Sequence, residues 1–159
     1  MKRARAHGVP LSALLDADQA IASADAISEK ALTLDELVIR ILARQSPVAR
    51  DLRILVSALR MSASLERMGA LASHIAQIAR FRFPGSAIPE ALKPVFEEMG
   101  KLDVELAKKI TKLLANPDVD VARAIQAEDE RVDELHRGVF ETVLADSWKE
   151  NAMFTVDVT

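Results

Sequence analysis

ARQSPVARDLRILVSALRMSASLERMGALASHIAQIAR, residues 43–80, reads as a single long helix. Pro47 suits a first turn, where a missing N–H costs nothing, and Ser46 before it can accept a bond from an orphan amide, so a start near residue 47 is predicted. Val48, Leu52, Leu55, Leu59, Leu65, Met68, Ala72, Ile75 and Ala79 then recur at steps of three and four, interrupted at Ser62, and no proline follows before Pro84. About ten turns thus share one apolar stripe, roughly 50 Å long at 1.5 Å per residue. A helix of that length needs partners as long as itself, which points to an all-α, elongated antiparallel helical bundle.

Working outward, residues 17–45 carry a second stripe through Ile21, Ala24, Ile27, Ala31, Leu34, Val38, Ile41 and Leu42, and the short link at 45–47 makes the two segments a helical hairpin. Before them, Pro10 to Leu15 reads as a stub that stops at Asp16. FPGSAIP at 83–89 is the clearest break. A third helix is expected over 89–115, ended by Asn116-Pro117, and a fourth from Asp118 or Val119 to about Asp146, burying Val121, Ile125, Val132, Leu135, Val139 and Val143. Another helix is expected to begin around Trp148 and to be incomplete, since the tail ends among apolar, β-branched residues. AIASADAISE at 20–29 also aligns with AIQAEDERVD at 124–133, the pattern of a duplicated helical unit.

Composition narrows the function. Aromatics are only 4% of the chain and half of it is hydrophobic, so the core is aliphatic. A net charge of −3 gives no footprint for nucleic acid. The absence of cysteine excludes disulfides and thiolate chemistry, which makes the cytoplasm the expected location. The basic start MKRARAHGVP lacks a full apolar core and cleavage pattern, and no apolar run reaches the ~20 residues of a membrane span. No phosphate-cradling loop, Ser-His-Asp set or His-Glu-x-x-His motif occurs, so no catalytic residue is expected and the chain does not read as an enzyme.

ARQSPVARDLR at 43–53 followed by LERMGALASHIAQIAR at 65–80 resembles the PhoU family of phosphate-signalling regulators. The resemblance implies tandem three-helix repeats, here 1–83 with its first helix largely missing and 88–159 with its last helix largely missing. It also implies a negative regulator of phosphate uptake and phosphate-starvation signalling, acting by contact. The implied partners are the ATPase subunit of the phosphate ABC transporter and the membrane sensor histidine kinase, reached from the cytoplasm at the inner face of the membrane.

The family's metal motif is an acid followed four residues later by Asp, a spacing that sets two ligands one turn apart on one face. Glu66 matches the first position and Ala70 replaces the second. Iron or zinc is therefore possible but not required, with Glu66, Asp129, Asp133 and His136 as the candidate ligands; the last three follow one another at steps of four and three. Against this, Glu66 is expected to pair with an arginine of the hairpin, Arg44, Arg50, Arg53 and Arg60 to form intramolecular pairs, and His74 to be partly buried. His7 falls in the N-terminal tail. Apolar surface left by the absent helices predicts a homo-oligomer. The alternatives are a plain helical dimerisation module or non-functional remnant, and a di-metal carboxylate oxidase. The oxidase needs two Glu-x-x-His pairs, and Asp133-x-x-His136 is the nearest approximation.

Overall fold

The computed structural model describes residues 11–150 and 152–159. They form α1 (Leu11–Gln45), α2 (Arg50–Arg82), α3 (Lys93–Ala115), α4 (Val119–Leu144) and α5 (Ala152–Val158), with no strand among the described residues. The all-α expectation holds. Contacts divide the chain between Ser86 and Ala87, leaving α1 and α2 in one unit and α3 to α5 in the other.

In the first unit α1 and α2 form an antiparallel hairpin, registered by Arg80 against Asp18 and by Ile27 against Gly69. Helix α1 buries Ala17, Ala24, Ala31 and Val38 at steps of seven, with half-buried Ile27, Leu34 and Ile41 filling the alternate positions. The answering seam on α2 is Leu55, Leu59, Ser62, Glu66, Gly69, Ser73 and Ala76, half-buried or buried and spaced four and three. This is a coiled-coil spacing built from small side chains, which lets the two backbones approach closely.

The apolar stripe expected to face the hairpin partner does not do so. Val48 is 74% and Ile75 70% exposed, Leu52, Leu65 and Met68 are also exposed, and of the large side chains only Leu55 and Leu59 turn inward. Helix α2 carries two stripes of the same period, and α1 occupies the smaller one because its own Ile27 needs a gap opposite. A Cβ on Gly69 would stand 3.2 Å from Ile27 Cδ1.

Helix limits differ from expectation at the starts of three helices, of which α3 begins at Lys93 rather than at residue 89. Helix α1 starts at Leu11 and runs through Asp16 without a break. Helix α2 starts at Arg50 rather than Pro47, because Ser46 takes a left-handed φ of 44°, a conformation that commonly ends helices, and so closes α1 instead of capping α2. Ala49, at φ 49° and ψ −106°, precedes α2 and makes no side-chain cap bond.

In the second unit α3 lies against α4, with Leu106, Leu135, Val139 and Val143 buried. Asp118 caps α4, accepting from the amides of Asp120 at 2.8 Å and Val121 at 3.1 Å. Val121 itself is 40% exposed, contrary to its predicted burial. Leu92, Val139, Val143 and Val158 form the tightest cluster, with Ile88, Val95, Phe96 and Trp148 packed on it. Trp148 lies before α5 rather than starting it, and its Nε1 donates to Thr155 Oγ1 at 2.9 Å.

Candidate functional site

Glu66 is half-buried in the α1–α2 seam, between Ser62 and Gly69, while Ala70 one turn on is exposed. It makes no ion pair among the described residues, so the expected arginine partner is not there. Arg44, Arg50, Arg53 and Arg60 are likewise exposed and make no ion pair among the described residues; an α1–α2 ion pair joins Arg80 Nη1 to Asp18 Oδ1 at 3.2 Å, at the other end of the hairpin. The reason is register: Arg44 and Arg50 flank the turn, and Arg53 and Arg60 lie on the side of α2 away from the seam. Arg50 and Arg53, with Ile54, Ser57 and Met61, instead line a groove of about 400 Å³. His74 is exposed, not partly buried, and His7 lies outside the described residues.

The acidic run on α4 divides between neighbours. Glu128 faces α3 and pairs with Lys109 Nζ. Asp129 acts on Asp103 of α3, whose carboxyl is held above the usual range first by partial burial and then by that neighbouring negative charge. A turn away, Arg131 clamps Glu98 of α3, its Nε and Nη2 donating to one carboxylate oxygen at 3.1 and 2.8 Å, and its Nη1 reaches Glu134 at 3.1 Å. The two carboxylates keep the guanidinium protonated beyond its ordinary range. Asp133 and His136 are exposed, and the His136 ring meets Phe140 edge-on, centroids 5.0 Å apart.

Asp103, Glu98, Lys109 and Arg131 are the members of this face that sequence reasoning did not single out. Each is defined by a partner on the neighbouring helix, and the α3–α4 register is not written in either segment alone.

Do these donors suit iron or zinc? Among the described residues no three His, Asp or Glu side chains converge closely enough to hold an ion. Glu66 has alanine where its second carboxylate would stand, and Glu128 is engaged by Lys109. Structural zinc takes four ligands, which this arrangement does not supply. The residues present do not fit a metal cluster. What the two units offer is an exposed aliphatic and arginine-bearing α2, and an α4 face of carboxylates partly neutralised from α3.

The family model described as PhoU domain matches residues 13–79 and again 96–158. The chain is 40% identical over 146 residues to phosphate-specific transport system accessory protein PhoU homolog 2 of Mycobacterium tuberculosis (strain ATCC 25618 / H37Rv), an alignment covering 92% of this chain and 68% of that protein. PhoU homolog 1 of Mycobacterium leprae (strain TN) is 38% identical, covering 92% and 66%. The Escherichia coli (strain K12) accessory protein PhoU is 31% identical over 108 residues, 68% of this chain and 44% of that one. No solved structure matches. No helix among the described residues is long and apolar enough to cross a membrane. With both halves matched by one domain description and relatives aligned along nine-tenths of its length, the chain belongs to the PhoU family.

Proposed function

We propose that this protein is a phosphate-transport accessory protein that restrains phosphate uptake and phosphate-starvation signalling by binding other proteins, without catalysis of its own. The observation that carries the reading is the 40% identity, over 92% of the chain, to a protein named for the phosphate-specific transport system. The partners are the ATPase subunit of the phosphate ABC transporter and the membrane sensor histidine kinase. Each unit acts as one repeat, and the protein works in the cytoplasm, at the inner face of the membrane, as a homo-oligomer. Its exposed aliphatic surface supports a contact mechanism, since apolar side chains in that number and order mark interaction sites. The reading needs no metal.

The test is output from a phosphate-starvation promoter in phosphate-rich medium, in a strain deleted for its own PhoU-family gene, with and without this 159-residue chain. Deletion is expected to raise output and the chain to silence it. Output that rises on deletion and stays high with the chain expressed would overturn the reading for this chain.

A further inference from the structure

Helix α2 turns a third side outward, opposite α1 and about a quarter turn or more from the aliphatic stripe. Arg53, Arg60, Arg67, His74 and Phe81 follow one another along it at steps of seven, all exposed. A heptad step drifts by only about 20°, so the three arginines share one edge within about 40° and span about 21 Å. None of the three makes an ion pair among the described residues. The acids of α2 are Asp51 and Glu66, and at about 100° per residue both fall on the side toward α1.

The surroundings of the arginines are neutral and mostly small. One turn on from each stand Val56 and Ser57, Ala63 and Ser64, Ala70 and Leu71, without a carboxylate among them. So little large apolar surface gives a partner helix few knobs to pack, whereas guanidiniums about 10 Å apart present a continuous row of charge. The edge ends at Phe81, which is 79% exposed, with the Arg82 guanidinium 5.1 Å from its ring centroid. An aromatic ring beside cations at the end of a basic helix edge suits the boundary between lipid headgroups and acyl chains.

Opposing charge is held at a distance. Asp25, Glu29 and Glu36 are exposed on the far side of α1, about 20 Å from the arginine edge across two packed helices. That is about two Debye lengths at physiological salt, so a flat anionic surface laid against α2 meets the arginines and not these carboxylates. The net charge of −3 is thus no obstacle. Helix α3 offers no such edge, because Lys101 and Lys108 share its outer side with Glu97 and Glu105.

We infer that the outward edge of α2 binds anionic phospholipid headgroups directly and lays the first unit along a membrane surface, with Phe81 at the acyl boundary. The inference deepens the placement at the inner face of the membrane proposed above and rests on it for its setting. The test is flotation of the full chain with vesicles of about one-third phosphatidylglycerol in phosphatidylcholine, against phosphatidylcholine alone, at about 0.1 M salt. The chain is expected to float with the anionic vesicles, to stay behind with the neutral ones and to be released as salt rises. Each arginine at an anionic surface contributes about fivefold, so Arg53→Gln/Arg60→Gln/Arg67→Gln should weaken binding on the order of a hundredfold with an unchanged far-UV spectrum. Lys101→Gln/Lys108→Gln/Lys112→Gln removes the same formal charge from α3 and is expected to bind nearly as wild type. The chain contains no cysteine, so a polarity-sensitive dye can be placed at one site. On Phe81→Cys its emission should shift to the blue with anionic vesicles, and on Asp25→Cys it should not. A wild-type chain that ignores anionic vesicles, an equal loss in the two triple variants, or equal blue shifts at the two dye sites would overturn the inference. A chain that ignores the vesicles but binds polyglutamate through the three arginines would also overturn it and assign the edge to an acidic protein partner. The vesicles hold no transporter, kinase or phosphate, so failure here leaves the regulatory reading to the promoter assay.

Discussion

Gly69 is where the first unit is most sensitive to a change of size. Its absent side chain makes room for Ile27, and a Cβ added there would lie 3.2 Å from Ile27 Cδ1 and 3.6 Å from its Cβ and Cγ2. Gly69→Ala sets two effects against each other. Replacing glycine in a helix interior gains about 1 kcal/mol of propensity. The new methyl presses on the end of a flexible side chain, which can give by a few tenths of an ångström, so the sum lies between neutral and about 1 kcal/mol stabilising. Gly69→Leu sends three further carbons into volume that Ile27 already fills. Overpacking of that kind costs about 1–3 kcal/mol, which leaves a net loss of up to about 2 kcal/mol after the propensity gain. Ile27→Ala on its own costs about 1–2 kcal/mol as a half-buried aliphatic, but combined with Gly69→Leu it should restore stability, because the leucine takes the vacated space. Urea unfolding of the four proteins, followed by far-UV circular dichroism, closes the cycle. A Gly69→Leu midpoint equal to that of Gly69→Ala, or strict additivity with Ile27→Ala, would refute the close approach of α1 and α2 at this point.

Three further outcomes are expected from the same titration. Asp118→Ala removes the acceptor for the amides of Asp120 and Val121 and should cost the second unit about 1 kcal/mol, read from Trp148 fluorescence. Asp103→Asn should stabilise the protein at neutral pH: the folded carboxyl titrates above 3.8, so the folded state binds more protons than the unfolded one between those values and stability falls as pH rises through them. Because Asp103 is exposed the gain is at most about 0.5 kcal/mol, and it should vanish below the unfolded value, where both states are protonated. Ala49→Gly relieves a left-handed residue at φ 49° and should raise stability by about 1 kcal/mol; a loss would show that the turn is not strained.

The helices were legible because the apolar period persists over many turns and because Phe83 to Pro89 and Asn116-Pro117-Asp118 punctuate it. What periodicity could not settle was which of two equal stripes on α2 faces α1. Hydrophobic size favours the one through Leu65, Met68 and Ile75, whereas packing selects Ser62, Gly69, Ser73 and Ala76 because α1 brings Ile27 into the gap. The start of α1 was misplaced for a milder reason. Asp16 reads as a break, yet aspartate costs only about 0.7 kcal/mol or less in a helix, and Ala13, Leu14 and Ala17 carry the inward stripe past it. At the candidate site, the acids of α4 were visible and their partners on α3 were not. Glu98, Asp103 and Lys109 acquire meaning only once the two helices are in register.

A seam of alanine, serine and glycine has a thermodynamic consequence. Each buried methylene contributes about 0.8 kcal/mol, so Ser62, Gly69, Ser73 and Ala76 give α2 far less than leucine or isoleucine would in the same places. Over the stretch from Ser62 to Ala76, helix α2 thus meets α1 mainly through small side chains, while Leu65, Met68 and Ile75 lie exposed on another face. Whatever covers that face supplies much of the stability of the first unit as well as its affinity. If the occupant is a second copy, mass action requires the unfolding midpoint of the first unit to rise with protein concentration. Trp148, the single tryptophan, belongs to the other unit and gives an internal control. Thermal unfolding at a series of concentrations should show the circular dichroism midpoint climbing, and the climb should disappear in Leu65→Glu. A midpoint independent of concentration would mean that the small seam suffices by itself, and that the aliphatic stripe contributes nothing to holding α2 in place.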